Sequence, residues 1–310
     1  MIILNNYIQI FFKPMVILFN SDGRFGHQLS QFATLIAYAN KYDRSFFYWR
    51  FKSRFGNYFA RNSDSRLAPV SLSIILIFLC FKLLKFFSVK KYTFLNIEFQ
   101  IKNDKNNELV FDDTLEGLFT SKAKYVVTDY VFNDVPNLLN YREHIISYLL
   151  PNADLQNKTD NFINALNQQY KLLVGLHIRR DDFKDFANGI FYFNDETYIK
   201  VINHFLSIIN LDAKDIVFVI CSDEIIDIQN YLEFNISYQQ RSFEDDFFIL
   251  AKCNYIIATR SIFSTLANYI STNKIYQLVD ADKEFTMNDF KSCEALLSEN
   301  YNFKEKIDFI

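Results

Sequence analysis

The chain has 310 residues, enough for two domains of ordinary size, each with its own core. A formal charge of -3 leaves no basic surplus to neutralise a phosphate backbone, which excludes nucleic acid as the main partner. Cys80, Cys221, Cys253 and Cys293 stand far apart, as do His27, His144, His177 and His204, so neither a metal site nor a disulfide framework is implied and a reducing, cytoplasmic compartment is expected.

In chain order, residues 1–12 are apolar but lack the basic flank of a signal peptide. Residues 15–20 read as a first strand, and residues 21–28 as the loop after it. That loop carries Gly23 and Gly26, two of only six glycines, together with Arg24 and His27. Leu29, Phe32, Ala33, Ile36 and Ala37 then recur at helical spacing to about residue 42. A strand, a glycine turn and a helix start present backbone N–H groups to an anion. The alternative is a turn that needs glycine for geometry alone. The spacing is not that of a dinucleotide fingerprint, which disfavours a nicotinamide enzyme.

Residues 45–51 suggest a second strand, and 52–69 an irregular loop able to carry acceptor specificity. The longest apolar run, 74–81, continues through Lys82 and Lys85 to residue 87. It falls short of the roughly 18 residues of a membrane span. We expect a buried helix, the alternative being an interfacial one in peripheral contact with anionic headgroups. Strands follow at 92–101 and 126–132, and a helix at 138–150 is stopped by Pro151 and Asn152. The boundary placed there gives domains 1–151 and 152–310.

The second half alternates strands at 172–178, 216–221, 255–258 and 275–279 with helices at 195–209, 224–232, 244–252 and 261–270. That order predicts a parallel sheet with right-handed crossovers. Both halves therefore read as α/β and Rossmann-like, with a cleft between them.

The stretch VGLHIRRDD, residues 174–182, is a buried-strand pattern that ends in a burst of charge. In α/β proteins that edge is where ligands sit. Alternation puts His177 and Arg179 on one face and Arg180 on the other. Guanidinium groups suit phosphate because their fork pairs bidentately and keeps its charge. The alternative is a structural cluster of Arg179, Arg180, Asp181 and Asp182. Ser222 and Asp223, after the 216–221 strand, are ligand-edge candidates or simple caps.

Three stretches, taken together, resemble the fucosyltransferase superfamily, and most closely the bacterial α-1,2-fucosyltransferases of glycosyltransferase family 11. GRFGHQLSQFA, residues 23–33, is similar to the family's G-R-x-G-N-Q-x-x-Q-x-A, with His27 in place of Asn. HIRRDD, residues 177–182, matches H-x-R-R-x-D. Residues 244–253, EDDFFILAKC, and 255–264, YIIATRSIFS, resemble D-x-x-L-M-S-x-C and I-I-A-N-S-S-F-S-W-W, with Arg260 for Asn and Thr265-Leu266 for the tryptophans.

The resemblance implies a GT-B fold, with a GDP-sugar held by the C-terminal domain and the acceptor approached from the N-terminal one. It also implies inverting, metal-independent transfer of fucose from GDP-fucose to a glycan hydroxyl such as galactose O2, on a lipopolysaccharide precursor at the cytoplasmic membrane face. Open alternatives are another GDP-sugar donor, a peptide acceptor, or a sugar-nucleotide-binding protein without catalysis. By the resemblance Arg179 would meet charge on the departing β-phosphate, and His177, Arg180 and Asp182 would flank it. Gly23, Arg24, Gly26 and His27 would approach the diphosphate. Asp246 would accept from guanine, and Ser222, Ser261 and Ser264 would supply polar contacts to the nucleotide. Asp246 is equally a helix N-terminal acid, and Ser261 equally an N-cap. Asp22, Asp182 and Asp185 are candidate bases, none assigned.

Overall fold

Residues 14–19, 24–60, 67, 72–87, 91–94, 96–100, 114–128 and 134–302 are described in the computed structural model of this chain. Beyond Leu150 the chain passes from one unit, Met1–Leu150, into a second, Pro151–Ile310.

In the first unit, β1 (Met15–Leu18) is an apolar run buried along its whole length, as a strand covered on both faces must be. It is followed by α1 (Phe25–Lys41), buried on almost every side, and β2 (Ser45–Tyr48). The strand expected over 45–51 ends early. At Trp49 the chain turns into α2 (Trp49–Phe55), because Phe51 and Phe55, four apart, both bury on a helical face. Phe51 stacks on Phe32 of α1 with centroids 4.2 Å apart.

Next comes α3 (Leu72–Phe86), which departs from the expected burial. Ile74, Ile77 and Phe81 are buried on one stripe, packed with Met15, Ile17, Phe19, Phe47 and Val127. Leu76, Leu79, Leu83 and Phe86 are exposed at 54%, 54%, 61% and 80%. A helix at the surface can turn only one side to the core, whatever its composition.

The strand expected over 92–101 is a hairpin, β3 (Lys91–Phe94) and β4 (Ile97–Gln100), paired antiparallel. Asn96 sits between them at φ 64°, a left-handed position that asparagine tolerates. After α4 (Thr114–Thr120) comes β5 (Tyr125–Thr128). The helix expected over 138–150 is two short ones, α5 (Val135–Asn140) and α6 (Arg142–Tyr148). Asp134 caps the first, its Oδ1 accepting from Asn137 N at 3.1 Å. The sheet order is β2-β1-β5-β4-β3, parallel except at the β3–β4 hairpin.

The second unit opens with α7 (Ala153–Asn167), a helix not among the expected elements; Asn152 Oδ1 caps it by accepting from Leu155 N at 2.8 Å. Then come β6 (Leu172–Ile178), α8 (Asp195–Ile208), β7 (Ile216–Ser222) and β8 (Ile236–Ser237). They are followed by α9 (Phe243–Lys252), β9 (Tyr255–Thr259), α10 (Ile262–Tyr269), β10 (Lys274–Leu278) and α11 (Cys293–Asn302). The helix expected over 224–232 is only a tight turn at Ile228–Tyr231 before the short β8. It is too short to cover the sheet, and Ile225 and Leu232 stay exposed.

This sheet is parallel throughout, in the order β10-β9-β6-β7-β8. Val174, Leu176 and Ile178 of β6 join Tyr198, Ile202 and Phe205 of α8 in the core on one face. On the other face stands Gly175. A Cβ there would come within 2.6 Å of Leu250 Cδ2 and 3.3 Å of Cys253 Sγ, so the glycine lets α9 lie close on β6. Both units thus build an α/β layer structure in which a buried parallel strand delivers its carboxyl end to a loop.

Candidate functional site

The chain leaves β6 to run outward through β7 and β8, then returns to the other side of β6 for β9 and β10. The reversal lies between β6 and β9, and the crevice outside the carboxyl ends of two such strands is the general ligand position in open α/β sheets. His177, Arg179 and Arg260 all stand at or just beyond this edge.

His177 lies on the Gly175 face, 5% exposed, its ring stacked on Phe263 of α10 at 5.1 Å. Its Nδ1 is buried without a hydrogen-bond partner in the protein. Burial first, and then the Arg179 charge, push its pKa from 6.5 down to about 3. The imidazole is therefore neutral at pH 7, a polar contact that adds no charge.

Arg179 leaves the strand on the same face. Its Nη2 donates to Asp182 Oδ1 and Oδ2, each at 3.0 Å, and its guanidinium lies 4.7 Å over the Phe183 ring. Its Nε is buried without a partner in the protein. Asp182 therefore orients Arg179, and Phe183, itself buried against Phe191, supports it from below. The segment that holds them ends at Gly189, whose φ of 77° suits glycine.

Arg180 points the other way. Its Nε donates to the Phe193 carbonyl at 2.8 Å, its Nη2 bonds the Asp195 carboxylate, and Nη1 lies 3.6 Å from Glu224 Oε1. Tyr231 and Asn230 donate to the same Asp195 at 2.8 and 2.7 Å. The structure thus separates Arg180 from Arg179 and ties it into a buried network. In the sequence Asp195 shows only as an acid at a helix start, and its pairing with Arg180 emerges from the fold.

Asp246, at the start of α9, is also committed. Arg241 Nε donates to its Oδ1 at 2.7 Å, both side chains being nearly buried, and Arg241 Nη2 donates to the Ile220 carbonyl at 2.5 Å. Burial raises the Asp246 pKa, and Arg241 works against that. Ser242 caps α9, and its Oγ donates to Asp245 Oδ2 at 2.7 Å. Arg241, five residues before Asp246, is another partner not read from the sequence.

Ser222 Oγ accepts from Glu224 N at 3.2 Å, and Asp223 Oδ1 accepts from Arg180 N at 3.0 Å, joining the ends of β6 and β7. Ser261 caps α10 by accepting from Phe263 N at 3.3 Å, and Ser264 Oγ donates back to the Ser261 carbonyl at 3.1 Å. These hydroxyls shape the edge. Asp185, a candidate base, is exposed.

In the first unit, Gly23 and the base candidate Asp22 lie outside the described residues. Arg24 is the exposed N-cap of α1, Gly26 is buried in its first turn, and His27 Nε2 is 2.8 Å from Gln31 Nε2.

The family model described as Glycosyl transferase family 11 matches residues 15–304. No curated protein sequence matches the chain. Among solved structures, a mutant of Arabidopsis thaliana FUT1 in complex with GDP is similar at TM-score 0.58 and 12% identity, covering 90% of this chain and 75% of that one. The fucosyltransferase NodZ from Bradyrhizobium is similar at TM-score 0.53 and 15% identity, covering 86% and 96%. POFUT1 in complex with GDP is similar at TM-score 0.52 and 13% identity, covering 84% and 95%. At these identities the likeness establishes the fold, a GT-B-type α/β architecture.

Proposed function

This chain belongs to glycosyl transferase family 11, and from that premise we propose that it moves fucose from GDP-fucose to a glycan hydroxyl, with inversion and without a metal ion. The acceptor we favour is galactose O2 on a glycan or lipopolysaccharide precursor. The observation that carries this reading is Arg179, held by Asp182 at 3.0 Å and seated over Phe183 at the carboxyl end of β6.

In the reaction the acceptor oxygen attacks the anomeric carbon as the bond from that carbon to the β-phosphate oxygen breaks. The electron pair stays with GDP, and the acceptor proton passes to a base. A fixed guanidinium at the phosphate meets the added charge without reorganising, and removing such a group typically costs about 10² to 10³ in rate. The neutral His177 offers a hydrogen bond beside it. Asp182 is occupied with Arg179, so the base is not drawn from that pair.

Acceptor recognition is assigned to the first unit, where Arg24 caps α1 and His27 lies in its first turn. The exposed leucines of α3, with Lys82 and Lys85 and no acidic residue on that helix, support peripheral contact with an anionic membrane. Among the described residues no helix is long and apolar enough to cross one.

The test is release of GDP from GDP-fucose by the purified chain, with and without β-galactosides and with EDTA. Acceptor-dependent release that survives EDTA, with fucose on galactose O2 by NMR, is expected. Dependence on manganese or magnesium would refute the metal-free reading. GDP binding without turnover on any acceptor would favour a sugar-nucleotide-binding protein.

A further inference from the structure

We propose that Arg260 is a second donor-binding residue, supplying the uncompensated positive charge that holds the diphosphate between β6 and β9. The inference rests on the reading that this edge takes a nucleoside diphosphate sugar, and it deepens that reading. The topology places the crevice between these two strands. Each releases an arginine as it ends, Arg179 one residue after Ile178 and Arg260 one residue after Thr259. The last registered pair, His177↔Ala258, lies two residues before each arginine, so both leave their strands at the same level of the sheet edge.

Their electrostatic states differ. Arg179 is paired with Asp182, and Arg180 with Asp195 and Glu224, so each brings little net charge. Arg260 is half-buried and forms no ion pair or hydrogen bond among the described residues. A diphosphate is multiply negative, and the Arg179–Asp182 pair leaves part of that charge uncompensated. Arg260 adds a further positive charge. The residue before it is anchored, since Thr259 Oγ1 donates to the Phe191 carbonyl at 3.0 Å. The residue after it is the N-cap of α10, whose N-terminal end carries the same sign of potential. Buried beside that first turn is the partnerless Nδ1 of His177, against Phe263. Four observations therefore converge on one anionic ligand: strand reversal, an unpaired arginine, a helix start and an unsatisfied imidazole.

The experiment is calorimetric binding of GDP, GMP and guanosine to the full chain, wild type against Arg260→Gln and Arg260→Lys, with thermal melts of each. Arg260→Gln is expected to lose roughly 10- to 100-fold in GDP affinity, less for GMP and nothing for guanosine, with an unchanged melt. Arg260→Lys should recover part of the loss. Wild-type GDP affinity in Arg260→Gln, or an equal loss for guanosine, overturns the inference and leaves the proposed function standing. A wild-type chain that binds no GDP overturns both.

Discussion

Arg179 and Arg180 are neighbours in the chain, and the pleat of β6 sends them to opposite faces, one to the crevice beside His177 and the other into the network around Asp195. Under the proposed reaction Arg179→Lys keeps a charge but loses the planar fork, and Arg179→Ala loses both. We expect kcat to fall about 10²-fold or more in Arg179→Ala. The melt should be nearly unchanged, because Asp182 is 39% exposed and can be solvated when its partner is gone. Wild-type turnover in Arg179→Ala would remove Arg179 from the mechanism. His177 makes a different prediction. Its folded pKa of about 3 lies below its ordinary 6.5, so the unfolded chain binds the proton more readily. Its contribution to stability is complete above pH 6.5 and declines as pH falls toward 3, by up to about 1.4 kcal/mol per unit. Urea midpoints across that range should fall less steeply in His177→Gln, and an identical slope would place the acid sensitivity elsewhere.

At the scale of elements, the close seat of α9 on β6 depends on Gly175, and that seat fixes where Asp246 and Arg241 lie. The sequence shows the glycine but not the side chains that crowd it. The helix α3 is the clearest case of an element read correctly and placed differently. Its apolar run makes it helical, yet its burial depends on how much of its circumference the sheet can cover. The outward stripe gives a test. Flotation with vesicles containing anionic lipid is expected for the wild-type chain and should be lost in Leu79→Asp/Leu83→Asp, two exposed positions one turn apart. Equal flotation of the two proteins would refute a membrane role for this helix. The 45–51 and 92–101 segments show a related ambiguity. Aromatic residues suit strand and helix alike, so the turn into α2 and the break at Asn96 come from neighbours and backbone conformation.

For the whole molecule, each unit has its own sheet and its own core. A fragment of residues 151–310 is therefore expected to unfold cooperatively and to bind GDP within roughly tenfold of the intact chain. A molten fragment, shown by lost near-ultraviolet dichroism, would mean that the second core needs the first unit. The sequence by itself determined the alternation of strands and helices, the parallel character of the second sheet and the place where the charged residues of β6 emerge. These follow from hydrophobic period and turn chemistry, which are local. Tertiary structure decided the strand order, and with it which carboxyl ends bound one crevice. It also decided which charges are cancelled: Asp182 for Arg179, Asp195 for Arg180 and Arg241 for Asp246, leaving Arg260 without an ion pair among the described residues. The reason is physical. A charge is neutralised by what folds against it, and partners 3 or 15 residues away look alike until the chain is packed.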